Sequence, residues 1–286
     1  MAFLVNSNKH AEWVIEKCLF LSAISAIFFI VLIIVFIFEK GLPMIIDYGL
    51  LNFILGTNWF PLDGQFGIFP MILGTLYVTA GAMVLGVPLG LACAIFLAET
   101  APEKMKNSME PVIESLAGIP SIVYGFFGIV VIVPFMRDAF GAGFSILTCS
   151  IILAIMVLPT IISISQDAIS SVPKEYKEAS IALGATHWQT IKKIILPNAM
   201  PGIATGVLLG VGRAIGETMA VLMVSGNVVK IPSSIFDPVR PLTANIALEM
   251  NYAYGIHREA LFATGVILLV VTFALIMVVD YFQRGN

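Results

Sequence analysis

Six stretches of this sequence are long and apolar enough to leave water, and that alone narrows the fold to a bundle of membrane-crossing helices. They lie at about 18–38, 70–98, 112–136, 145–165, 201–225 and 260–282. Each reaches the roughly 20 residues that a helix rising about 1.5 Å per residue needs to cross a hydrocarbon core of about 30 Å. Inside lipid no water satisfies the backbone, so such runs must be helical. Hydrophobic residues make up 59% of the 286-residue chain and charged residues 12%, which is not the balance of a soluble domain. The expectation is one all-α, polytopic membrane domain over residues 1–286 with no separate soluble domain. The first stretch reads as a retained helix, being too long for a signal peptide and lacking a small-residue cleavage site. The 70–98 stretch exceeds one crossing, which predicts tilt, protrusion or a kink at Pro88.

Lysine and arginine placement orients the bundle. With the N-terminus inside, Lys9, Lys17, Lys104, Lys106, Lys174, Lys177, Lys192, Lys193 and Arg284 fall on the cytoplasmic side. Lys40, Arg137, Lys230, Arg240 and Arg258 fall outside, three of them in one long loop where charge counts for less. Both termini are therefore expected in the cytoplasm. The outward loops, about 39–69 and 226–259, are long enough to suggest function. Trp59 and Phe60 read as interfacial anchors, and Thr243 to Met250 as a short helix lying on the outer surface. Cys18, Cys93 and Cys149 fall within spans and are expected as free, buried thiols. His10, His187 and His257 have no ligand spacing, so no metal site is expected, and no nucleic-acid partner. Glu99, Glu103 and Glu110 read as solvated, Asp167 and Asp280 as charges near span ends, and Glu114 is given no role. Pro120 and Ser121 read as a structural bend within the third span.

Residues 173–197 interrupt the apolar pattern with a polar, basic hairpin between two spans. Tyr176, Ala179 and Leu183 recur at helical spacing until Gly184. Thr186 and Gln189 form a capping box for a second short helix, whose Trp188, Ile191 and Ile195 share a face. At roughly ten residues each, neither helix can cross a bilayer. Glu178-Ala179-x, then Gly184, then Ile194-x-Leu196-Pro197 resembles the EAA loop of ABC-importer permeases, with Ser180 where a second alanine is usual. The resemblance implies a type I importer permease fold. It also implies that Glu178, Ala179, Gly184, Ile194, Leu196 and Pro197 belong to a coupling helix seated on a cytoplasmic ATPase. No Walker A motif occurs, and Gly210-x-Gly212-x-x-x-Gly216 has the wrong spacing for a nucleotide loop. The chain is thus expected to be no enzyme and to bind no cofactor itself, with ATP on a partner subunit.

The fifth span carries Arg213 and Glu217 near its middle, where insertion scales put the cost of an arginine at about 2.5–3.5 kcal/mol. At 100° per residue, Gly202, Gly206, Gly210, Arg213, Glu217 and Ala220 share a stripe roughly 80° wide, expected to face protein or a solute path. Four residues apart, Arg213 and Glu217 are placed to pair on one turn, either as a packing ion pair or as an anion-contacting site. A guanidinium fork suits a tetrahedral oxyanion.

Around this pair, RAIGETMAVLMVSGN, LTANIALEM, GIHREALFATG and GIPSIVYGFFGIV resemble the PstC family of phosphate-importer permeases, from about Trp59 to the end. The related PstA permeases share the Arg-x-x-Gly-Glu-Thr core but match less well after it. The resemblance implies inorganic phosphate as solute, with Arg213 and Glu217 at the charged positions implicated in its passage. It further implies the inner membrane of a prokaryote as the location, a PstA-like second permease, two PstB-like ATPases and a PstS-like extracytoplasmic binding protein. ATP-driven closure of the ATPases would then rock the spans between inward and outward access. A permease for another oxyanion (sulfate, molybdate) or an organic solute, an ion-coupled secondary transporter, and a membrane scaffold or sensor are the competing readings.

Overall fold

The computed structural model describes the backbone of residues 3–284 and the side chains of residues 12–281. The side chains of Lys9, His10 and Arg284 lie outside those described. Among the described residues six helices are long and apolar enough to cross a membrane, as expected. They are bounded at one end by the hairpin around Gly184 and at the other by the segment around Trp59.

Helix α1 (Phe3–Tyr48) is followed by the short α2 (Leu50–Leu55) and a two-stranded antiparallel ribbon, β1 (Trp59–Phe60) with β2 (Gln65–Phe66). Helix α3 (Phe69–Ile95) contains Pro88 and runs on through a π-helical turn, Phe96–Thr100. Residues 12–33 of α1 are exposed throughout, so Cys18 is exposed rather than buried, whereas Cys149 is buried and all three cysteines are free. Near its end α1 crosses α13 (Ile256–Arg284), where Gly41 lies against the Phe262–Ala263 backbone and a side chain would collide.

The stretch expected as one span from 112 to 136 is two structures. Helix α4 (Glu103–Ala117) is amphipathic and ends at Gly118. The crossing segment starts only at Ser121, as α5 (Ser121–Phe127), a π-helical turn and α6 (Val133–Phe140). Pro120 causes the break, because its ring removes the N–H and drives Ile119 out of helical conformation. The carbonyl of Leu116, which has no N–H to meet at Pro120, accepts the Tyr124 hydroxyl at 2.8 Å and Ile119 N at 3.3 Å.

Helix α7 (Ile146–Ser170) is the most buried of the six and lies between α3 and α10 (Leu196–Gly216). Glycines make this seam. A side chain at Gly202 would collide with Ala168, and Cβ atoms at Gly206 and Gly210 would meet Ile164 and Ile161 at 3.3 and 3.1 Å. The glycine part of the fifth-span stripe is therefore occupied by helix packing.

The second arm of the hairpin is not a separate short helix. From α9 (His187–Thr190) the chain passes through a π-helical turn, Ile191–Ile195, straight into α10 as one 30-residue segment. The fifth span then stops early, at Gly216, and resumes as α11 (Met219–Val224). Helix α12 (Leu242–Glu249) does not lie on a surface, because Leu242, Thr243, Ala244, Asn245 and Glu249 are all buried.

Candidate functional site

Three features stand along the bundle: the hairpin at the Gly184 end, the interrupted fifth span, and a polar cluster at the Trp59 end.

The hairpin begins with α8 (Lys174–Ala182) and turns at Gly184, whose φ of +85° suits glycine and few other residues. Its capping box is formed in full, with the Thr186 hydroxyl accepting from Gln189 N and the Gln189 side chain accepting from Thr186 N. The Ser180 and Thr190 hydroxyls meet at 3.0 Å and tie the two arms. Lys177 pairs with Glu99, which anchors the hairpin to the end of α3. Glu99 is thus a buried partner rather than a solvated charge, whereas Glu110 accepts from Gln166 of α7 but keeps 38% of its side chain exposed.

Ile191 and Ile195 turn into a core with Ala94, Ile169, Ala199 and Ile203, while Trp188 points away and is 63% exposed. Trp188, in the α-helical turn that precedes the π-helical one, is therefore off the buried face that Ile191 and Ile195 share. Tyr176, Ile181, Trp188 and Leu183, the last 89% exposed, leave an apolar tip uncovered. Glu178 and Ala179 are exposed on the α8 arm, Pro197 is exposed at the start of α10, and Ile194 and Leu196 are partly buried against the bundle.

In the fifth span the structure separates the two charges that sequence spacing pairs. Helix α10 ends between them, and Glu217 takes an extended conformation, φ −67° and ψ 128°, so the relation across one turn is lost. The Glu217 carboxylate turns toward α11, its Oε1 accepting from Thr218 N at 3.0 Å and Ala220 N at 3.1 Å. Its backbone carbonyl accepts the Thr243 hydroxyl at 2.9 Å. Arg213 is half-buried and forms no ion pair among the described residues. Gly212 and Gly216, on either side of it, border open space, with nothing within 4 Å of where a side chain would begin. A cation in an apolar span with an open face can take an anion or a carboxylate from outside the chain.

Sequence reasoning missed the polar cluster. Glu249, 7% exposed, accepts from Trp59 Nε1 and Arg240 Nη1, and its Oε2 also meets His257 Nε2, all at 2.8 Å. Arg240 also donates from Nε to Asn227 O at 2.9 Å and from Nη1 to Asn245 Oδ1 at 3.3 Å. Trp59 is therefore buried and hydrogen-bonded, not an interfacial anchor, although Phe60 beside it is exposed. Residues 59, 240, 249 and 257 come from four segments: β1, the loop before α12, α12 itself and α13. The only sequence signal was a glutamate and an arginine inside an otherwise apolar loop helix and its approach. Burial and the negative charge of Glu249 push the nearby Tyr252 phenol up from its ordinary range. Among the described residues no group of three His, Cys, Asp or Glu side chains is gathered to hold a metal.

The family model "Binding-protein-dependent transport system inner membrane component" matches residues 86–286. A probable ABC transporter permease protein of Bacillus subtilis, YqgH, is 44% identical over 88% of this chain and 84% of its own. The phosphate transport system permease protein PstC of Haemophilus influenzae is 37% identical over 77% of each chain. Among solved structures, the MetNI methionine ABC transporter in an inward-facing conformation superposes with a TM-score of 0.62 at 21% identity, over 80% of this chain and 99% of that one. At that identity the likeness concerns the fold, which is that of type I importer permeases. With six membrane-crossing helices and this match over most of its length, the chain is a multi-pass membrane protein and belongs to the family of inner-membrane components of binding-protein-dependent transport systems, among the PstC-type permeases.

Proposed function

We propose that this chain is one of the two transmembrane subunits of an ATP-driven phosphate importer. The observation that carries the reading is Arg213, a half-buried guanidinium without an ion-pair partner among the described residues, beside the interruption of the fifth span and between two glycines that border open space. Discontinuous membrane helices recur where transporters hold their solutes. The names of the PstC relatives supply phosphate as the solute class. A second permease, PstA-like, closes the open face, and phosphate passes between the two chains against Arg213. Glu217 keeps its second carboxylate oxygen for a protonated phosphate oxygen, which fully deprotonated sulfate cannot offer.

The apolar tip of Tyr176, Ile181, Leu183 and Trp188 docks into a cytoplasmic PstB-like ATPase pair, where all ATP is bound and split. The Gly184 end is then cytoplasmic, as are both termini, and the Trp59 end receives a PstS-like binding protein. Glu178 and Ala179 flank the docking tip, while Ile194, Leu196 and Pro197 carry its movement into α10.

The test is co-purification of the ATPase and second permease with this chain, followed by uptake from vesicles in competition among phosphate, sulfate and molybdate. Phosphate uptake that needs ATP, and loses its preference over sulfate in Glu217→Gln, is the expected result. Uptake driven by an ion gradient with this chain alone would overturn it.

A further inference from the structure

Helix α12 touches the interruption of the fifth span at one end and the polar cluster at the other. At eight residues it is about 12 Å long. At its first turn, Leu242 N donates to Thr75 Oγ1 of α3 at 3.0 Å, and Thr243 Oγ1 donates to the Glu217 carbonyl at 2.9 Å. At its last residue, Glu249 holds Arg240, Trp59 and His257. Both ends are buried, so the helix is clamped twice with little freedom between the clamps.

The contact at Glu217 does more than fill space. In an uninterrupted helix the Glu217 carbonyl would accept the N–H of the residue four positions on. Here ψ of 128° turns it off the helix axis, and the bonds resume only with Leu222 N on Thr218 O. A carbonyl left without a partner in an apolar bundle is costly, and the Thr243 hydroxyl supplies that partner from another helix. The interruption is thus maintained by α12, not by the fifth span alone.

We propose that Thr243 is a positioning residue for transport: its hydroxyl holds the break at Glu217, and α12 relays to that break the state of the Trp59–Arg240–Glu249–His257 cluster. The inference rests on the reading above that Arg213 and Glu217 border the solute path. A binding protein that docks at the Trp59 end and shifts this cluster moves the Glu217 carbonyl through one rigid helical body. The carboxylate of Glu217, bonded to the first amides of α11, moves with it.

The test uses the complete transporter, with both permeases, the ATPase and the binding protein, purified and returned to lipid. Thr243→Val keeps the shape and removes the hydroxyl. It is expected to lower maximal uptake about tenfold, as loss of one hydrogen bond to a buried carbonyl can. The KM for loaded binding protein should stay at the wild-type value, and Thr243→Ser should restore uptake to within about twofold. Wild-type uptake in Thr243→Val, an equal loss in both variants, or a change confined to KM would each overturn the proposal. Trp59→Phe tests the far end without altering Thr243. Hydrogen exchange at Thr218 to Leu222 in that complex is expected to rise severalfold, and unchanged exchange would overturn the relay. Exchange requires no transport, so a wild-type complex that moves no phosphate rejects the functional reading while the exchange result still decides the relay.

Discussion

Arg213 and Glu217 stand four residues apart in the sequence yet form no ion pair, because α10 ends between them and the Glu217 carboxylate caps α11 through Thr218 N and Ala220 N. The carboxylate has a structural duty and a spare oxygen, and the two can be separated by mutation. Glu217→Gln retains an oxygen for the two amides, so the fold should lose less than about 0.5 kcal/mol. Glu217→Ala leaves both amides without that acceptor and should cost about 1–2 kcal/mol, in line with loss of a helix cap. Thermal unfolding of the two variants in one lipid nanodisc preparation checks this. Equal loss in both would mean that Oε1 does not cap α11.

Arg240 and Glu249 meet at 2.8 Å with their side chains 20% and 9% exposed. Removing one member of a buried pair strands the other, at a cost of about 3 kcal/mol or more. Glu249→Leu is therefore expected to lower the unfolding temperature by several degrees and to loosen the segment from Trp59 to Phe66. Glu39→Gln, at an exposed pair with Lys40, should change neither. Proteolysis within residues 56–68 reads out the first effect directly, and a resistant Glu249→Leu chain would refute the role of the cluster.

Much of this architecture is legible in the sequence, for physical reasons that also mark the limit. Apolar runs as long as a bilayer is thick admit few structures other than membrane helices, so the six crossings are visible. Thr186 and Gln189 form a local motif, so both hydrogen bonds of the capping box could be expected from spacing. The breaks are harder. Apolar residues continue on both sides of Pro120 and of Glu217, so hydropathy passes through each interruption unchanged. What ends α10 is a partner for the Glu217 carbonyl, Thr243, that lies in a different loop. Trp59 and Glu249 are 190 residues apart, and no pattern at helical spacing links them. Local chemistry is readable along the chain, whereas a polar contact between distant segments becomes visible only once the helices are packed.

The segment from Ser233 to Asp237 caps the start of α7, with Ile146 N bonded to Asp237 O at 3.0 Å and Leu147 N to Ile235 O at 2.9 Å. The Asp237 carboxylate accepts from Ser233 N, pairs with Lys230 and accepts the Ser233 hydroxyl, which together lower its pKa from 3.8 to about 2. A depressed folded value means that the stabilisation is complete above the unfolded value and disappears as pH falls through the folded one. Protection of the Ile146 and Leu147 amides, corrected for intrinsic exchange, should thus be flat from about pH 5 to 8 and fall between about 4 and 2. In Asp237→Asn it should be low and pH-independent over the whole range. A wild-type decline centred near pH 6 would place the titration on another group.

The last prediction concerns the hairpin, where backbone and surface make separate demands. A side chain at Gly184 would meet no atom within 4 Å, so crowding gives no reason for glycine there. The φ of +85° does, and Gly184→Val should strain the turn by about 1–2 kcal/mol, whereas Gly184→Asn, which tolerates such φ better, should cost less. Leu183 is the opposite case: 89% exposed and in no strained conformation, it contributes little to this chain alone. Leu183→Glu should leave the unfolding temperature of the isolated chain within about a degree, because surface changes away from special features are usually small. In the assembled transporter the same substitution places a charge in the apolar tip with Tyr176, Ile181 and Trp188. Burying it there without a counter-charge should reduce ATPase recovered on co-purification at least about tenfold. Full recovery with Leu183→Glu would show that the ATPase docks elsewhere. A large fall in the stability of the isolated chain would show that the tip is part of its own fold.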